Sequence, residues 1–319
     1  MGQLVDGVWQ TETLEVRSKD GRFVRADTQF RDQITADGAS GFKAEKGRYH
    51  LYISLACPWA HRTLIFRHLK GLEDAISISV VDPFMADQGW TFGDSEGCIA
   101  DPLFGARHMH EIYTQARSDY SGRVTVPVLW DRERAIIVNN ESSEIIRMMN
   151  SEFAGLAPET PDYCPIELRG EIDAVNERVY NDINNGVYRT GFAATQHAYE
   201  EAFDQLFAAL DWVEERLRTR RYLCGAQLTE ADWRLFPTLL RFDCAYFGHF
   251  KCNLRRIEDY PCLSNYLREL YQIPGIAELC NFRHIKEHYY RSHESINPTR
   301  IVPRGPEMNL DQAHDRDRL

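Results

Sequence analysis

Aromatic and aliphatic residues alternate through Tyr49, His50, Leu51, Tyr52 and Ile53, which predicts a strand. Pro58 at a first helical position, followed by apolar Trp59, Leu64, Ile65 and Leu69, predicts a helix from Pro58 to Lys70. Ile76, Ile78 and Val80 alternate again and end at Asp82-Pro83, so a second strand follows. Strand, helix and strand at this length imply a parallel pair with a right-handed crossover. Residues 83–122 then form a long Gly- and Asp-rich connection, with a short helix expected around His108 to Arg117. A connection of that length inside a compact domain is usually functional, and Trp90 sits in it between Gly89 and Phe92.

Two β runs, Val124 to Asp131 and Ile136 to Val138, read as a hairpin. Pro127 removes a ladder donor, so the strand either leaves the bonding pattern there or carries a cis peptide. Polar residues at 139–143 open a further helix whose amides and Glu and Ser side chains can hold a charged ligand.

Beyond Ala157 to Pro165 the period becomes helical. Ile172, Val175, Val179 and Ile183 form one stripe; Tyr199, Ala202, Phe203, Leu206, Phe207, Leu210, Val213 and Leu217 form another. Thr229 with Asp232 reads as a capped helix start, and Pro237, inside the helical run, predicts a kink or local unwinding of that helix. A last helix is expected over Ile276 to Arg291. The expected organisation is an extended segment at 1–47 anchored by Phe23, Phe30 and Phe42, an α/β domain at 48–152, an all-helical domain at 165–293, and an extended or frayed polar tail at 294–319.

Cys57 lies at the junction of the first strand and its helix, where unpaired amides and the positive end of the helix dipole favour a thiolate. Ala60 stands where a Cys-x-x-Cys pair would have its second cysteine, so catalysis by Cys57 requires a mixed disulfide with an outside thiol. The chain has 319 residues, no apolar run long enough to span a bilayer, and neither a basic start nor an apolar core at Met1 to Gln10. Asp6 stands where an N-myristoylation signal needs Ser or Thr. A soluble cytoplasmic protein without a membrane partner is expected. Its net charge of −11 argues against nucleic acid as a partner. Eight irregularly spaced cysteines read as reduced thiols, and Cys244, His249, Cys252 and Cys262 lack the spacing of a zinc knuckle, so no metal is expected.

The element order is that of a thioredoxin-like domain followed by an all-α domain. Cys-Pro-Trp-Ala at 57–60, Gly-Trp-x-Phe at 89–92, Gly-Arg-Val-Thr-Val-Pro-Val-Leu-Trp-Asp at 122–131 and Asn-Glu-Ser-Ser at 140–143 resemble the glutathione transferase superfamily. Within it they resemble the Xi class, the glutathionyl-hydroquinone reductases. The resemblance covers nearly the whole chain. It implies glutathione as co-substrate, a homodimer, and Cys57 as nucleophile. By the same resemblance, Val126 before a cis Pro127 pairs with the tripeptide backbone, Glu141 and Ser142 grip the γ-glutamyl group, and Arg123 and Trp90 contact the glycyl end or its surroundings. Tyr188 and Tyr290 are implied as contacts to an aromatic substrate and as candidate acids, with Tyr289 and His288 as alternatives of structural role. Reduction of glutathione mixed disulfides or of dehydroascorbate, and a non-enzymatic assembly role, are the competing readings.

Overall fold

The computed structural model describes residues 2–11 and 18–319. Strands β1 (Gln3–Val5) and β2 (Val8–Gln10) form an antiparallel hairpin inside the segment expected to be merely extended. The anchors Phe23, Phe30 and Phe42 are all buried.

The four-stranded sheet runs in the order β4-β3-β5-β6. Its central strand β3 (Tyr49–Ile53) is buried at every position. Helix α1 (Pro58–Leu69) carries the chain across to β4 (Ile76–Val80), which pairs parallel with β3 as the strand, helix, strand pattern requires. After α2 (Met109–Ala116), β5 (Val128–Asp131) returns antiparallel to β3 and pairs with β6 (Ile136–Asn139). The expected strand from Val124 begins only at Val128, because Pro127 has no amide to give the ladder. The Val126–Pro127 peptide is cis. Helix α3 (Ser142–Ser151) follows.

The long connection after β4 is bound to the sheet. Val80 and Ile99 exchange backbone hydrogen bonds of 2.9 and 3.0 Å. The Tyr52 hydroxyl donates to Asp101 Oδ1 at 2.9 Å, and Asp101 accepts the amides of Leu103, Phe104 and Ala106 at 3.0–3.1 Å. His50, fully buried on β3, lies 2.6 Å from the Ser77 hydroxyl and 2.9 Å from that of Ser79.

Helices α4 (Arg169–Arg178), α5 (Gly186–Gly191), α6 (Gln196–Leu217), α7 (Glu230–Arg241), the single turn α8 (Phe247–His249) and α9 (Pro261–Tyr271) make up the second half. The capping box at Thr229 forms as expected, Asp232 accepting the Thr229 amide at 2.8 Å. Pro237 does not unwind its own turn. Helix α7 continues to Arg241, and the wider π turns come afterwards, at Phe242–Tyr246. The last helix starts later than its apolar pattern suggested: Ala277–Leu279 is a 3-10 turn, and α10 runs over Phe282–Ser292.

The chain divides into two units: Met1–Leu14, Asp27–Pro161 and Arg283–Ser292 in the first, and Glu15–Ala26, Asp162–Phe282 and His293–Leu319 in the second. Most of α10, expected within a helical domain at 165–293, therefore groups with the first unit. The side-chain reason is plain: within α10, His288 stacks on Trp90 and reaches the Pro83 carbonyl.

The tail is anchored near its end. Arg316 is fully buried, pairs with Glu269 of α9 at 3.1 Å, and donates to the carbonyls of Leu217 and Arg220 at 3.4 and 2.6 Å. It thereby satisfies the Leu217 carbonyl at the end of α6 and the Arg220 carbonyl in the turn beyond it. The tail is largely extended, one of the two forms expected, but it is tied down: besides Arg316, the Gln272 side chain of the second unit donates to the Leu310 and Gln312 carbonyls at 2.7 Å. Among the described residues no helix is long and apolar enough to cross a membrane, and no group of three or more His, Cys, Asp or Glu could hold a metal ion.

Burial pushes the His50 imidazole down to about 4 from its ordinary 6.5. The unfolded chain then binds more protons than the folded one as pH falls from about 6.5 to about 4, so stability is lost across that window. Urea unfolding should show a loss of about 2 kcal/mol from this group between pH 7 and pH 5. His50→Gln should flatten that part of the profile.

Candidate active site

Strand β3 delivers the chain to a tight turn in which the Cys57 amide donates to the Ser54 carbonyl at 3.2 Å. Cys57 is the N-cap of α1: its backbone is extended and its carbonyl accepts the His61 amide at 3.0 Å, the first bond of the helix. Pro58 at the first helical position has no amide to contribute. The Cys57 sulfur lies 3.5 Å from the Val126 carbonyl oxygen, beside the cis peptide, and the residue is 8% exposed. All eight cysteines carry thiols.

Tyr113, on α2, fixes the approach to that cis peptide. Its hydroxyl donates to the Thr125 carbonyl at 2.9 Å, accepts the Thr125 amide at 3.2 Å, and lies 3.1 Å from the Asn140 side-chain nitrogen. One buried phenol thus ties the loop before Pro127 to the entry of α3, and burial raises its pKa, keeping it protonated.

At that entry Glu141 is the N-cap of α3, its carboxylate accepting the Ser143 amide at 3.0 Å and the Ser143 hydroxyl at 2.9 Å. Ser142 is buried, and Arg62 Nη1 of α1 reaches its hydroxyl at 3.4 Å. The Arg62 guanidinium, itself 1% exposed, stands 4.7 Å from the Trp59 ring centroid. The second turn of α1 is therefore linked to the head of α3 by a buried cation. Neither Arg62 nor Tyr113 emerged from the sequence. The available signals were an arginine on an otherwise apolar helical face and a tyrosine on the apolar side of a short amphipathic helix.

Of the residues expected at the glycyl end, Arg123 is half-buried, and its carbonyl accepts the Tyr120 hydroxyl at 3.1 Å. Trp90 is 7% exposed and stacks on His288 with centroids 4.8 Å apart. One face of its indole is thus committed to packing. The tyrosine pair on α10 separates clearly: Tyr289 is 1% exposed, whereas Tyr290 is half-buried. Cys57, Trp90, Arg123, Val126, Glu141, Ser142 and Tyr290 all belong to the first unit. Tyr188 lies in the second, half-buried on α5 among Phe23, Phe192, Tyr246 and Phe250.

A family model described as the glutathione S-transferase N-terminal domain matches residues 56–152, and one described as the glutathione S-transferase C-terminal domain matches 196–269. The chain is 54% identical over 310 residues to the glutathionyl-hydroquinone reductase PcpF of Sphingobium chlorophenolicum, covering 97% of this chain and 98% of that protein. It is also 53% identical to the glutathionyl-hydroquinone reductase YqjG of Escherichia coli over 99% of both. The solved Xi class transferase from Natrialba magadii superposes with a TM-score of 0.94 at 48% identity, over 100% of this chain and 97% of that one. The chain belongs to the Xi class of the glutathione S-transferase family. In a glutathione-bound structure, YqjG matches this Xi class chain with a TM-score of 0.92 at 52% identity, over 99% of both.

Glu141→Ala removes the acceptor of two donors at the head of α3. The Xi class chain should lose about 1 kcal/mol in urea unfolding, with Glu141→Asp intermediate.

Proposed function

We propose that the chain is a glutathionyl-hydroquinone reductase, an enzyme that uses glutathione to remove the glutathionyl group from a hydroquinone ring. The observation that carries this reading is Cys57 at the head of α1 beside the Val126 carbonyl, in a chain alike over its whole length to two such reductases. Val126 pairs with the tripeptide backbone of glutathione. Glu141 takes the γ-glutamyl ammonium, and Ser142 with the α3 amides takes its carboxylate. Arg123 supplies a cation for the glycyl carboxylate, and Trp90 shapes the loop beside it. No residue in this set asks for a metal.

The Cys57 thiolate attacks the sulfur of the glutathionyl-hydroquinone. A sulfur–sulfur bond forms and the carbon–sulfur bond breaks; the ring carbon keeps the electron pair and takes a proton, so the ring is reduced and the Cys57 sulfur oxidised. Tyr188 and Tyr290 are the candidate acids for that proton. A second glutathione, as thiolate, then attacks the Cys57–glutathione disulfide, releasing glutathione disulfide and restoring the Cys57 thiolate. One glutathionyl-hydroquinone and one glutathione thus yield one hydroquinone and one glutathione disulfide. The Xi class likeness also supports a homodimer and a reducing compartment such as the cytoplasm, where glutathione is at hand.

Turnover of a glutathionyl-hydroquinone with excess glutathione should give hydroquinone and glutathione disulfide in equal amounts. Cys57→Ser should lose both products, and intact-mass spectra of the wild type without added glutathione should show one glutathionyl group removable by dithiothreitol. Activity retained in Cys57→Ser would overturn the mechanism. Activity confined to small mixed disulfides would leave the nucleophile in place and transfer the substrate assignment to the thioltransferase reading.

A further inference from the structure

Tyr188 has a neighbour that the sequence did not single out. In the second unit the chain at 18–26 is pinned along its length: the Ala194 amide donates to the Gly21 carbonyl at 2.9 Å, the Thr195 hydroxyl to the Asp20 carbonyl at 3.1 Å, and Arg22 pairs with Glu201 at 2.6 Å. From there Phe23 reaches the aromatic cluster, its centroid 6.3 Å from that of Tyr188. Arg25 follows it. Its Nε donates to Asn185 Oδ1, just before α5, at 2.8 Å, and its guanidinium carbon stands 5.0 Å from the Tyr188 ring centroid and 5.5 Å from that of Phe23.

A guanidinium held by a side-chain hydrogen bond over a phenol differs from a surface cation. The bond from Nε to Asn185 holds its head group beside the ring.

We propose that Arg25 is a positioning residue for Tyr188, holding its ring and stabilising the negative charge left on its oxygen when the hydroxyl proton passes to the departing ring carbon of the hydroquinone. This rests on the reading of Tyr188 as the acid of the first half-reaction. In that step the carbon–sulfur electron pair goes to the ring carbon, the O–H bond of Tyr188 breaks, and its electrons stay on the phenolate, to be reprotonated from water. The second half-reaction releases a thiolate and needs no proton on carbon. Arg25 therefore has work in one half-reaction and none in the other.

Stopped-flow kinetics separates the halves: release of hydroquinone from a glutathionyl-hydroquinone in a single turnover, and reaction of preformed Cys57–glutathione enzyme with glutathione. Arg25→Gln should slow the first by roughly tenfold to a hundredfold and leave the second at the wild-type rate, which also reports that the variant is folded. Arg25→Lys should recover part of the loss. In a Tyr188→Phe background, Arg25→Gln should have no further effect. Equal slowing of both halves would make Arg25 a structural pin and overturn the proposal, as would losses that add with Tyr188→Phe. A Tyr188→Phe enzyme as fast as wild type would instead remove the acid role of Tyr188, and Arg25's with it.

Discussion

A helix cannot satisfy the amides of its own first turn, and this constraint shapes the first unit. Two such turns are brought together here. One is headed by Cys57 with a proline behind it; the other is headed by Glu141 and Ser142. Arg62 links the second turn of α1 to the head of α3, and Tyr113 locks the loop carrying the cis Val126–Pro127 peptide to the entry of α3. What results is a set of fixed backbone dipoles suited to an anionic peptide, with one sulfur among them. Because the donors belong to helix ends and not to long side chains, their arrangement loses little entropy when a ligand arrives.

The same electrostatics appears with opposite sign in the second unit. The end of α6 and the turn after it present carbonyls, and these are met by the buried guanidinium of Arg316 near the end of the chain. Glu269 balances that charge while also accepting from Arg221 and the Tyr222 hydroxyl. A buried arginine with a carboxylate and three carbonyls, those of Leu217, Arg220 and Arg221, for partners is tolerable, whereas either charge alone would be costly to bury.

The sequence made legible whatever local physics decides. The alternation at Tyr49–Ile53, the proline opening α1, the Thr229–Asp232 box and the break at Pro127 each rest on neighbouring residues and each appear in the structure. Motifs at 57–60, 89–92, 122–131 and 140–143 carried the class. What stayed hidden depends on pairings distant in sequence: Trp90 with His288, Tyr113 with Asn140, Arg25 with Tyr188, Arg316 with the end of α6. Pro237 shows the limit of propensity from the other side, since a helix with every neighbouring residue from Glu230 to Pro237 but Arg234 buried is held by packing through a residue that intrinsically disfavours it.

The discontinuity of the first unit has a bearing on how the protein is made. Chains emerge from the ribosome N-terminus first, and domains generally fold as they emerge. Here the sheet and its helices are available once residue 161 is out, yet Trp90 receives its stacking partner only when α10 has been synthesised. The unit that is translated first is thus finished almost last, after the intervening helices. Until then the indole lacks the ring that packs on its face in the finished unit.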